Sequence, residues 1–192
     1  MKFLKIIIAM ILFTVSNGQI ALPTIQAVHK PHNSSNGTPE NPLGDSGLTL
    51  PYTNVNWNWM MGHTFTPQVN GSITQLGGYF NNTKTVRLWQ YSNGAFLGSV
   101  SHAGSNNWTY TNLSSPVSVT AGTKYVVAVA LNGNGGAYSR DNIHPIGNTY
   151  GNIVIECNVL HSSYDSDVMP NWSQTCRTDY WFGTPDITFV PD

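Results

Sequence analysis

From Tyr125 to Leu131 every position is apolar. Tyr125, Val127, Val129 and Leu131 would face one way, and Val126, Ala128 and Ala130 the other. A short, unbroken, β-branched run of this kind predicts a central strand covered on both faces. Before it, Val117 and Val119 alternate with small polar residues, the period of a half-buried strand. Thr120-Ala121-Gly122-Thr123 between them has turn composition, with Gly122 able to take positive φ. Residues 115–131 are therefore predicted to be a strand–turn–strand hairpin.

The same alternation recurs upstream. Val55, Trp57, Trp59 and Met61 alternate with Asn54, Asn56, Asn58 and Met60, which predicts one strand with an aromatic face. Asn70-Gly71 signals a hairpin turn into a strand over 72–80. The parity of that strand shifts between Ile73 and Leu76, and Gly77-Gly78 predicts a bulge there. In 85–90, Val86 and Leu88 lie opposite Arg87 and Trp89. Ser92-Asn93-Gly94 predicts a tight turn into a strand over 95–101, and 107–111 reads as a short strand with Trp108 and Tyr110 inward. Beyond Leu131 the signal weakens. A Gly-Asn loop precedes a short strand at 137–139, 140–177 reads as mostly irregular with one apolar run at 153–155, and 179–182 and 187–190 are again β. Nothing after residue 18 has helical periodicity. Short strands about every 8–12 residues, separated by Gly/Asn turns, predict an all-β fold: an antiparallel β-sandwich, jelly-roll-like.

The N-terminus has a different pattern. Lys2 and Lys5 precede an apolar run over 6–15 and then Ser16-Asn17-Gly18. This is the layout of a signal peptide over 1–18, too short for the roughly 20 residues that span a bilayer. No later segment is long and apolar enough to be transmembrane. Residues 19–53 are rich in Pro, Gly, Asn and Ser without apolar period, and predict a flexible linker before a β domain over 54–192. The pair Cys157 and Cys176 in an exported chain predicts one disulfide and a secreted, extracellular or periplasmic location. Only 9 % of residues are charged and the formal net charge is −1. That composition lacks the clustered Lys and Arg on which nucleic-acid binding rests, and offers no electrostatic attraction to a membrane surface.

Several short motifs resemble the bacterial domain-of-unknown-function family 4082. They are Gly62, Phe65-Thr66-Pro67, Gly71-Ser72-Ile73, Phe80, Leu88-Trp89, Trp108, the stretch 116–126 around Val-Thr-Ala-Gly-Thr, and a closing Tyr180-Trp181 with Asp186-Ile187-Thr188-Phe189. The resemblance covers about 54–190. It departs where a Gly/Thr-rich insertion is shortened to Asn81-Asn82-Thr83-Lys84, and where Phe182 to Pro185 are added before the closing motif. The Cys pair is not a family feature. The resemblance implies a β-sandwich like those beside carbohydrate-active or adhesion modules, and it implies no catalytic residues.

The candidate chemistry is that of binding. Exposed Trp and Tyr faces stack on pyranose rings, with Asn, Asp and Arg supplying hydrogen bonds. Trp57, Trp59, Trp108 and Trp181 lie in alternating strands and are expected in the core. Trp172 and Tyr150 lie in loops and are the aromatic ligand candidates, with Arg140, Asp141 and Asn142 as polar partners after a Gly-rich loop. Asp165 and Asp167 could share a structural Ca²⁺, but the pattern is short, lacks a full EF-hand loop, and is more simply a solvated turn. No other cofactor is indicated. Glu156 has no carboxylate partner at a fixed separation, and the Gly-x-Ser-x-Gly and His-Glu-x-x-His signatures are absent. Asn-x-Ser/Thr occurs at Asn33, Asn36, Asn70, Asn81, Asn107, Asn112 and Asn171, acceptors only in a eukaryotic secretory chain. Three functions fit these residues. The first is a non-catalytic module binding carbohydrate or a cell-surface partner. The second is a self-associating extracellular subunit that donates its N-terminal arm to a neighbour's sheet edge. The third is a glycan-acting enzyme with an unlocated site.

Overall fold

The computed structural model describes residues 37–139, 145–162, 167–170, 173–176, 181–182 and 184–192. Their strands in chain order are β1 (Tyr52–Val55), β2 (Met60–Pro67), β3 (Gly71–Gly78), β4 (Asn81–Gln90), β5 (Phe96–Ser105), β6 (Thr109–Val119), β7 (Tyr125–Ala130), β8 (Gly136–Tyr138), β9 (Thr149–Tyr150), β10 (Ile153–His161), β11 (Ser173–Thr175) and β12 (Pro185–Pro191). They form a seven-stranded sheet in the order β11-β10-β2-β7-β4-β5, with β9 on β10, a three-stranded sheet β12-β3-β6, and a two-stranded ribbon β1-β8. Every pairing is antiparallel. The fold is an all-β antiparallel sandwich, and much of the chain passes back and forth between its two main sheets.

β7 lies between β2 and β4, as its unbroken apolar run predicts. Tyr125, Val127 and Val129 join the core between the sheets, while Val126 and Ala128 join a second cluster with Met60, Trp89, Val159 and Met169. Met169, within the loop closed by the Cys157–Cys176 disulfide, packs on that outer face. There Arg87 Nε meets Asp167 Oδ1 at 3.2 Å and Trp89 Nε1 donates to the Asp167 carbonyl at 3.2 Å.

The predicted hairpin at 115–131 does not form. β6 pairs with β3 and β7 with β2 and β4, so Thr120–Thr123 bridges two sheets. Asn70-Gly71 likewise connects strands of different sheets. The two arches lie side by side: Gly122 N donates to Pro67 O at 2.8 Å and Ala121 N to Asn70 Oδ1 at 2.9 Å. Gly71 is needed because a Cβ there would strike Phe189 and the Val190 carbonyl, not because the turn demands positive φ. The parity shift expected between Ile73 and Leu76 is a bulge between Ile73 and Gln75, and Gly77-Gly78 takes no part in it. The single strand expected over 54–61 is two strands of different sheets, parted at 56–59, and the first of them is irregular at Asn54, whose φ is 57°. The stretch 140–177 contains the nine-residue strand β10. A register shift between Ile155 and Asn158 moves its inward face from one parity to the other, which masks the alternation.

The expected linker also ends early. Residues 19–36 lie outside the described residues, but from Gly37 the chain is docked on the sandwich. Glu40 bridges Phe189 of β12, a 3₁₀ turn spans Gly44–Ser46, and Leu43, Leu48 and Leu50 enter the core. Three leucines, spaced irregularly and diluted by Pro and Gly, bury without any periodic pattern to announce them.

Candidate functional site

The pairing of β1 with β8 sets Tyr52 opposite Tyr138. Their rings stack with centroids 4.6 Å apart and planes 10° apart, and Trp57 follows at 5.3 Å from Tyr138, tilted by 30°. The result is a three-ring ladder rather than one coplanar platform. Its outermost ring among the described residues is Tyr52, which is 43 % exposed, while Trp57 and Tyr138 are half-buried. The geometry comes from the irregularity at Asn54 within β1 and the end of that strand at Val55. Beyond it the chain runs beside 131–133, with Gly133 N donating to Trp57 O at 2.8 Å and Leu131 N to Trp59 O at 3.0 Å.

A web of side-chain amides adjoins the ladder. Asn54 Oδ1 accepts from Asn81 Nδ2 at 2.9 Å and Asn106 Nδ2 at 3.2 Å. Asn134 Oδ1 accepts from Asn82 Nδ2 at 3.3 Å and from Lys84 Nζ at 2.6 Å. Lys84 also donates to the Leu131 carbonyl; it is 5 % exposed, and loss of water lowers its pKa below the ordinary lysine value. Asn54, Asn82, Asn106 and Asn132 are the described non-glycine residues with positive φ. Asparagine tolerates that conformation best among residues with a Cβ, so it shapes these loops and furnishes their amides together. Asn81, Asn82 and Lys84 come from the shortened segment where the sequence departs from the family pattern.

A cavity of about 210 Å³ opens elsewhere, between the docked arm and β9. Glu40, Asn41, Pro42 and Asp45 face Thr149, Tyr150 and Gly151 across it. Glu40 is held by the Asn152 amide N at 2.8 Å and its Nδ2 at 2.6 Å, and Asp45 accepts from Asn41 N at 2.8 Å. The same arm caps Asp186, which is fully buried. Its Oδ2 accepts from Leu43 N at 3.1 Å, Gly44 N at 3.0 Å and Tyr110 Oη at 2.8 Å. Burial pushes the Asp186 carboxyl up to about 7 in spite of these donors, and burial together with the Asp186 charge raises the Tyr110 phenol.

Of the residues singled out from sequence, Tyr150 lines this cavity. Trp172, Arg140, Asp141, Asn142 and Asp165 lie outside the described residues. Asp167 is ion-paired with Arg87, and among the described residues no group of three or more His, Cys, Asp or Glu could hold a metal. Glu156 is engaged by Lys124 and by Thr66 Oγ1 at 2.6 Å. Cys157 and Cys176 form the predicted disulfide. Trp181 is buried in the core, and Trp57, Trp59 and Trp108 pack half-buried against it. Sequence reasoning missed Tyr52 and Tyr138. They are 86 positions apart and come together only through a pairing no local pattern announces.

Fold and loops define an antiparallel β-sandwich module with an aromatic and amide-lined end. The chain belongs to the family described as domain of unknown function DUF4082, whose model matches residues 53–182. No curated protein matches it. The matched span stops short of the docked arm and of β12.

Proposed function

We propose that the chain is an exported, non-catalytic module that binds carbohydrate through the β1-β8 end of its sandwich. The observation that carries this reading is the aromatic ladder ending at the exposed Tyr52, set beside the asparagine web. An aromatic face takes up the apolar C–H surface of a pyranose, and amides exchange hydrogen bonds with its hydroxyls. The basic-then-apolar N-terminus and the disulfide support export. The self-associating alternative is disfavoured for residues 37–50, which are already used within their own domain. The test is a pull-down of the purified chain on insoluble polysaccharides, alongside Tyr52→Ala. The variant should keep its unfolding midpoint and lose about tenfold in affinity, equivalent to ~1.4 kcal/mol. Retention by no polysaccharide, or equal retention of the variant, would refute the assignment.

A further inference from the structure

We infer that the ligand of the β1-β8 end is an uncharged glycan, read by amides rather than by charge. This rests on the glycan-binding reading and specifies its substrate class. The polar side chains hydrogen-bonded together at that end are Asn54, Asn81, Asn82, Asn106 and Asn134, with Lys84 the one charged member. Lys84 is buried, and its ammonium is directed to the Leu131 carbonyl and Asn134 Oδ1. Its charge therefore serves the loop rather than a ligand. Among the described residues no carboxylate bonds to any of the five amides.

The web leaves both donors and an acceptor open. Each amide oxygen accepts about two bonds. Asn54 Oδ1 and Asn134 Oδ1 each already have two donors, and Asn81 Oδ1 accepts from Asn82 N at 2.9 Å. What remains to recognise a ligand is N–H of Asn54 and Asn134 together with the oxygen of the exposed Asn82, suited to hydroxyls, which both accept and donate. A uronate, sulfate or phosphate would have to shed water against neutral donors, with the one cation bonded into this web among the described residues turned inward, and dehydrating an uncompensated charge is expensive. A neutral hydroxyl carries no such penalty. Sugar stacked on Tyr52 with its hydroxyls on this rim is matched in both chemistry and charge.

The experiment measures binding of the full chain to soluble neutral glycans (glucan, mannan, xylan) and acidic ones (alginate, polygalacturonate, hyaluronate), at about 0.05 M and about 0.5 M NaCl. Over that range screening shortens the reach of charge several-fold. A neutral glycan should bind with an affinity that changes less than about twofold with salt. Asn54→Asp keeps the acceptor for Asn81 and Asn106 but removes the N–H donors and adds a charge. It should weaken that binding about tenfold with an unchanged unfolding midpoint. Preference for acidic glycans, a salt-dependent loss above about tenfold, or wild-type binding by Asn54→Asp would each overturn the inference while leaving the glycan reading intact. Binding to neither set would remove both.

Discussion

Replacing Asp186 by Asn should change how stability depends on pH. The native carboxyl is fully buried and sits at about 7, against 3.8 for the ordinary group. The folded chain therefore holds a proton between those values that the unfolded chain has released. Stability contributed by the protonated acid is complete below about pH 4 and is lost as pH rises through about 7. The interval corresponds to about 4 kcal/mol, lost at about 1.4 kcal/mol per pH unit. Asparagine is nearly isosteric, and its Oδ1 can accept from Leu43 N, Gly44 N and Tyr110 Oη without titrating. The assay is urea unfolding of both proteins from pH 4.5 to 8, read as a difference so that other titrating groups cancel. Wild-type stability minus variant stability should fall steadily with pH and level off above about 7. A difference that stays flat, or rises with pH, would refute the reasoning. The absolute offset is a separate quantity, because the new Nδ2 replaces Oδ1, an atom with no hydrogen-bond partner among the described residues.

Leu43→Ala should lower stability by about 3 kcal/mol, the usual result of emptying a fully buried leucine site, and should expose the arm to protease. A loss under about 1 kcal/mol in urea unfolding would mean that the arm is not part of the cooperative unit. Replacing Cys157 and Cys176 together by Ser opens a loop with a sequence separation of 19 and should remove about 3 kcal/mol. It should also make Trp89 fluorescence more accessible to a quencher, and an unchanged quenching constant would show that the outer cover does not depend on the bridge.

The sequence was most legible where structure is local and periodic. Tyr125–Ala130 is read correctly down to which residues face which way, and so are the opposed faces of Val86/Leu88 and Arg87/Trp89. It misled wherever the question was which strand comes next to which. A Gly-containing turn looks the same whether it folds a hairpin or carries the chain to the opposite sheet, and both Asn70-Gly71 and Ala121-Gly122 do the latter. In β10 one extra residue reverses the face that points inward, so Ile155 and Asn158 are both buried and the alternation is lost. At the candidate site the Asn residues were read as turn formers and surface polarity. Their convergence depends on loops from four parts of the chain, and the Tyr52–Tyr138 stack on a strand pair of long sequence separation. Tyr150, expected in a loop, stands in the short strand β9 and lines the separate cavity rather than the β1-β8 end.

The clasp between the arm and β12 also governs the order in which the molecule can fold. Glu40 bonds to Phe189, and Leu43 and Gly44 to Asp186, across separations of more than 140 residues. During synthesis the arm emerges early, and its bonds to Phe189 and Asp186 must wait for the final strand. Until then one edge of β3 is bare and three leucines lack their cover. Contacts this distant place the domain among slow-folding topologies, which close in about milliseconds to seconds rather than microseconds. The sandwich thus stays open until β12 is made, and its completion is set by the arrival of that strand.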